Sequence, residues 1–187
     1  MANKLLALCF SSIVLFALSV TDVLMMNESL CRNNTVLARN CCRLPGIINQ
    51  SIVDDCDDKF PHHAPAKPGV KRAEGSCVVD CMYKTIGAFQ NGTLDLDITL
   101  QHISQTVGQY PNFEPLVNET VSWCYRNVTE NPALQNSVGC SFIPQEMNDC
   151  VKKMLFMSCP PSNWTTKVEC DDLKGKIVEG CSYSSLY

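Results

Sequence analysis

The chain has 187 residues, 45% hydrophobic, 18% charged and 7% aromatic, with a formal net charge of −4. This length excludes a large multidomain enzyme and suits one domain or two very small ones. The mild acidity argues against nucleic acid as a partner, which needs a basic patch to neutralise phosphates, and the ordinary charge and hydrophobicity argue against a disordered tail.

Lys4 is the only charge before Asp22, and Leu5 to Val20 is apolar apart from Ser11, Ser12 and Ser19. A positive start, a short apolar run and small residues near its end predict a secretory signal peptide over 1–19, with a cut after Thr21 as the alternative. The run falls below the roughly 18–20 residues that span a bilayer. No later segment has the length and apolarity to do so, and the expected location is therefore secreted and extracellular. Thirteen cysteines is an odd number for a disulfide framework. Cleavage removes Cys9 and leaves twelve, from Cys31 to Cys181; it also removes Lys4, so the net charge moves from −4 to −5. Twelve cysteines in a secreted chain predict up to six disulfides. A zinc site drawn from Cys77, Cys81, His62 and His63 is disfavoured, because an oxidising compartment favours bridges; no metal or cofactor is expected. Secretion also makes glycosylation sequons meaningful. Asn27, Asn33, Asn49, Asn91, Asn118, Asn127 and Asn163 each stand in one.

Along the chain, region 44–56 is a candidate helix with Ile48, Val53 and Cys56 inward. Residues 60–69 form a Pro-rich exposed loop. A helix runs from Ser76 to about Ile86, closed by Gly87, and Asn91-Gly92 marks a turn. Asp95 or Asp97 caps the next helix, with Leu96, Leu100, Ile103 and Val107 on one face. A third helix follows Pro115, with the stripe Val117, Val121, Cys124 and Val128. A fourth starts at Pro144, with Met147, Cys150, Val151, Met154 and Ser158 inward, and Pro160-Pro161 stops it. Thr165 or Thr166 opens a fifth, through Cys170 to about Val178. No convincing strand is present; the alternation Leu94 to Ile98 is short and leads into a helical stripe.

Cysteine spacing carries geometry. Cys77 and Cys81 lie one turn apart on one face of a helix, so each needs a different partner. Nine residues separate Cys150 from Cys159, half a turn out of phase, so these two also reach different neighbours. Adjacent Cys41 and Cys42 cannot share a partner. Spacing alone leaves on the order of ten thousand pairings open. A helical shell cross-linked in this way tolerates an internal apolar space that a plain core would tend to collapse.

The string Cys77-x3-Cys81, Cys124, Cys150-x8-Cys159 resembles the core of insect odorant-binding proteins. Cys41-Cys42, Cys56, the Pro-rich loop, Cys140-x9-Cys150, Cys159-Pro160 and Cys170 resemble the Plus-C subclass, and the likeness covers residues 41–170. It implies an all-α, compact, disulfide-rich domain over 20–187, of about six to eight helices around a hydrophobic cavity. It implies the bonds Cys77–Cys150 and Cys124–Cys159. It also implies a bond from Cys81, for which Cys56 is the first candidate and Cys42 the second. With Cys56 as that partner, Cys31, Cys41, Cys42, Cys140, Cys170 and Cys181 stay unassigned. It further implies a non-enzymatic carrier of small hydrophobic molecules of the odorant or pheromone class through chemosensory fluid. Membrane odorant receptors are the candidate recipients, and a monomer or weak homodimer is expected.

Candidate wall residues are Met82, Ile86, Phe89, Leu100, Ile103, Leu116, Trp123, Met154, Leu155 and Phe156, each also at home in a plain core. Methionine in the run 154–157 suits an adaptable pocket. Tyr83, Tyr110 and Trp123 are candidate polar contacts. Tyr183 to Tyr187 is a candidate lid over the pocket, with a tether at Cys181 as the opposing reading. His62, His63 and His102 are the side chains whose ordinary titration falls between pH 5 and 8. The rival readings are an enzyme and a disulfide-rich protein-binding module of inhibitor or toxin type without a small-molecule cavity. An enzyme is disfavoured, because no G-x-S-x-G or H-E-x-x-H is present and no His precedes an Asp.

Overall fold

The apolar stripes become helices in the computed structural model, which describes residues 31–60, 76–134 and 139–186. In chain order these are α1 (Ala38–Cys41), α2 (Gln50–Lys59), α3 (Ser76–Thr85), β1 (Phe89–Gln90), β2 (Thr93–Leu94), α4 (Leu96–Val107), α5 (Val117–Thr129), α6 (Ile143–Met157) and α7 (Val168–Val178), with short 3-10 turns at Glu114–Leu116, Pro132–Leu134 and Tyr183–Leu186. The predicted leader, His62, His63 and all of the Pro-rich loop beyond Phe60 lie outside the described residues.

Local chemistry sets most boundaries. Asn49 caps α2 by accepting from the Ser51 backbone N–H at 3.0 Å, so this helix starts later than the expected 44. Of the two aspartates offered as caps for α4, Asp95 takes the role and accepts from the Ile98 N–H at 2.9 Å. The expectation of no strand is corrected in one place. Phe89 pairs with Leu94 and Gln90 with Thr93, around a two-residue turn in which Asn91 and Gly92 both have positive φ, 51° and 80°. An Asn-Gly turn with both residues left-handed matches the twist of a hairpin, and the ladder stops after two pairs because α4 begins.

The stripes on α4 and α5 face inward as expected. Val117, Val121, Cys124 and Val128 are all buried, as are Ile103 and Val107. On α6 the inner face is rotated from the expected one. Met147 and Val151 are buried, but so are Asn148, Leu155 and Phe156, while Cys150 and Met154 are half-buried and Ser158 is exposed. The rotation follows from α6 packing against α3, α5 and the C-terminal 3-10 turn. One buried cluster joins these helices, with Tyr83, Phe113, Phe156 and Tyr183 as its largest fully buried side chains.

All twelve described cysteines are bonded, as Cys31–Cys181, Cys41–Cys170, Cys42–Cys159, Cys56–Cys81, Cys77–Cys140 and Cys124–Cys150. Cys56 is joined to Cys81, the first candidate. The expected bonds Cys77–Cys150 and Cys124–Cys159 are corrected. Cys150 lies on the stripe of α6 that faces α5, so it meets Cys124 there and not Cys77 on α3. Cys77, in the first turn of α3, meets Cys140 just ahead of α6. Cys159 lies beyond the Ser158 cap of α6, so helical phase no longer aims it. The chain turns there and runs beside Cys42, which forms a β-bridge with Trp164. Cys41 is the last residue of α1 and Cys42 is already extended, with φ −144° and ψ 111°, so their side chains diverge.

The bridges fall into two sets. Three are nested and tie residues 31–42 to 159–181. Hydrogen bonds run along the same seam, from the Thr165 N–H to the Cys41 carbonyl at 2.8 Å and from Lys176 Nζ to Asn34 Oδ1 at 2.6 Å. The other three bridges link α2 to α3, α3 to the segment before α6, and α5 to α6.

Candidate functional site

Between α5 and α6, beside Cys150 of the Cys124–Cys150 bridge, the C-terminal segment closes a third side and leaves a solvent-open cleft of about 440 Å³. That volume lies in the range of small-molecule sites. Trp123, Asn127 and Val128 on α5 form one wall, and Glu146, Asp149, Cys150 and Lys153 on α6 form the facing one. These α6 residues recur at intervals of three, one and three, which places them on one helix face. The third side is Gly180 to Tyr183, held by Cys31–Cys181 and by Tyr183 packing on Phe156 with ring centroids 5.4 Å apart. Cys181 therefore does tether the C-terminal segment, and that segment is a fixed wall of the cleft; Tyr187 lies outside the described residues.

Polarity is concentrated on α6. Burial, and after it the Asp149 carboxylate, holds the Glu146 carboxyl above its ordinary range. Asp149 accepts from Gln145 Nε2 at 2.8 Å. Burial lowers the Lys152 ammonium, and Asp149 opposes that shift. Behind Asp149, at the contact of α3 with α6, Tyr83 is fully buried and its hydroxyl has no hydrogen-bond partner among the described residues. Burial, then Asp149, pushes this phenol far above its ordinary value, so it stays protonated at neutral pH. A buried hydroxyl without a partner carries an uncompensated desolvation cost. Tyr83→Phe is therefore expected to raise stability by about 1 kcal/mol, read by urea denaturation of the oxidised protein. A loss of 1 kcal/mol or more would show that the hydroxyl is satisfied in solution.

The family comparison falls on this same framework of helices. An AgamOBP47-like family matches residues 45–176. The chain belongs to this family of insect odorant-binding proteins. Over 163 residues this odorant-binding protein is 29% identical to general odorant-binding protein 67 of Anopheles gambiae, covering 83% of its own chain and 80% of that relative. With odorant-binding protein 47 of the same species it shares 22% identity over 152 residues, covering 73% of its own chain and 66% of the relative. Twelve cysteines in six bridges are consistent with the Plus-C subclass, and the family is one of small-ligand carriers.

Of the ten expected wall residues, Trp123 lines the cleft. Phe89 lines a second cleft of about 500 Å³ beside the hairpin. Met82, Ile103, Leu155 and Phe156 are buried in the core, and Ile86, Leu100, Leu116 and Met154 pack half-buried against it. Of the polar candidates, Tyr83 is buried behind the cleft and Tyr110 is 48% exposed elsewhere. His102 does not line the cleft, and burial lowers its pKa. Sequence reasoning missed Glu146, Asp149 and Lys153, because a charged stripe on a helix reads as a solvated face. The usable signal was their phase: they flank Cys150, one half of the bridge that forms the floor. Among the sequons, Asn33, Asn49, Asn91, Asn118 and Asn127 are exposed and Asn163 is half-buried; Asn27 lies outside the described residues.

Proposed function

We propose that this protein is a secreted, non-enzymatic carrier of small hydrophobic molecules of the odorant class, which it holds in the α5–α6 cleft and delivers to membrane odorant receptors. Membership of the odorant-binding family carries the reading. An indole left 42% exposed on the wall of a concave site supports the cleft as the place of binding, since burying apolar surface on both partners contributes about 25 cal/mol per Å². The apolar part of the ligand lies against Trp123, Val128 and the disulfide floor. One polar group on it faces Glu146, Asp149 or Lys153 and sets its orientation. The leader-like N-terminal sequence, Lys4 followed by a short apolar run, supports carriage through extracellular fluid.

The test is displacement of a fluorescent hydrophobe from the mature, fully oxidised protein by a panel of volatile alcohols, ketones and amines. Displacement at micromolar concentration is expected, and Trp123→Ala should weaken it by roughly tenfold, the equivalent of about 1.4 kcal/mol of lost contact. Failure of every compound to displace the probe would remove the carrier reading. Displacement unaffected by Trp123→Ala would move the site elsewhere in the molecule.

A further inference from the structure

The lip of the cleft carries a feature that ligand binding does not use. Asn127 heads the sequon Asn127-Val128-Thr129, is exposed and lines the cleft. It stands one helical turn after the exposed Trp123, and its Nδ2 donates to the Trp123 carbonyl at 2.8 Å. A side chain on a helix covers the turn N-terminal to its own Cα, so whatever Asn127 carries is directed over Trp123. Asn118 heads a second exposed sequon on the same helix. It lies nine residues earlier and half a turn out of phase, and it does not line the cleft.

The geometry points to an N-linked glycan on Asn127 that stands at the mouth of the cleft beside Trp123 and gates ligand passage. The inference rests on the secreted-carrier reading above. In the modification, Asn127 Nδ2 attacks the anomeric carbon of an oligosaccharide carried on polyprenyl pyrophosphate. The C–N bond forms, the sugar's C–O bond to phosphate breaks, polyprenyl pyrophosphate leaves, and Nδ2 gives up one of its two protons to a base of the transferase. One N–H remains on Nδ2 and keeps donating to the Trp123 carbonyl. The hydrogen bond that orients the side chain therefore survives the modification, and the first sugar is held at the mouth of the cleft beside Trp123. A glycan is bulky and solvated. Placed at the mouth, it slows entry and release alike and leaves the equilibrium with the bound ligand nearly unchanged.

The experiment uses the full chain secreted from insect cells. Glycopeptide mass spectrometry, with enzymatic release of the glycan in 18O water, reads the occupancy of Asn127 and Asn118. Stopped-flow fluorescence with N-phenylnaphthylamine reads the rates. Asn127 is expected to be occupied. Thr129→Val, which removes the sequon and leaves every residue lining the cleft in place, should speed probe entry and release by about tenfold while Kd moves by less than about twofold, the signature of a gate. Asn118→Gln should leave both rates as they are. Enzymatic deglycosylation of the native protein should reproduce the faster rates, independently of how any variant folds. An unmodified Asn127 in a protein that still binds the probe overturns the gate and leaves the carrier reading standing, and so do unchanged rates after deglycosylation. Absence of probe binding before and after deglycosylation overturns both.

Discussion

Replacing Phe156 with alanine is expected to lower stability by about 4 kcal/mol, within the range for truncating a buried aromatic ring. Phe156 has no exposed surface. Its ring meets Trp164 edge-on with centroids 5.5 Å apart and Tyr183 at 5.4 Å. Such aromatic pairs stabilise by about 0.5–1.5 kcal/mol beyond the area they bury, and both are lost together. The vacated space also cannot collapse freely. Trp164 is anchored by the β-bridge at Cys42 and by Lys174 Nζ, 3.9 Å from its ring centroid, while Tyr183 follows a bonded Cys181. For a chain of this size the loss corresponds to a fall in Tm of roughly 8–16 °C. Calorimetry of the oxidised protein and chemical denaturation check it. A cost under 1 kcal/mol would show that this junction is looser than its burial indicates. Because Tyr183 is also a wall of the cleft, Phe156→Ala should weaken probe binding, whereas Phe156→Leu should keep most of it.

Removing the outermost bridge, with Cys31→Ser and Cys181→Ser together, is expected to cost about 3 kcal/mol. A naive reading of its 150-residue separation gives about 5 kcal/mol by the chain-entropy relation. The nesting reduces that value. With Cys41–Cys170 already closed, the unfolded chain gains only the ten residues from Cys31 to Cys41 and the eleven from Cys170 to Cys181 as additional loop. That short closure corresponds to about 3 kcal/mol. The double variant should lose roughly 6–12 °C in Tm, and it should also bind the probe more weakly, because Gly180 to Tyr183 is no longer held against the cleft. A loss near 5 kcal/mol would mean that the inner nested bridges do not restrict the unfolded chain as their separations require.

The two substitutions act on one structural joint. The nested bridges bring both ends of the described chain to α6, and Phe156 packs there between the segment after α6 and the C-terminal 3-10 turn. Stability and the shape of the cleft are thus coupled through Tyr183, which belongs to both.

How much of this was legible beforehand depends on the range of the interaction concerned. Asp95 as a cap, the stripe Val117, Val121, Cys124 and Val128, and the turn at Asn91-Gly92 are decided by residues within four positions of one another, and they stand where the spacing placed them. The inward face of α6 was less legible. The expected stripe was a single line of residues, whereas the helix packs against α3, α5 and the C-terminal 3-10 turn and buries a wider face. Trp123 was among the expected wall residues and stands on the cleft, whereas Glu146, Asp149 and Lys153 were not among the expected residues.

Composition and spacing alone pointed to a mainly helical chain, to an even set of twelve cysteines once Cys9 is set aside, and to two pairs whose members reach different partners: Cys77 with Cys81, and Cys41 with Cys42. Both hold in the six bridges. The actual partners and the cleft were decided only by tertiary structure. A helix of known phase says in which direction a side chain leaves the axis, but which element stands in that direction depends on packing across separations as long as 150 residues. Once the chain leaves the helix, as it does at Ser158 before Cys159, even the direction is no longer encoded locally.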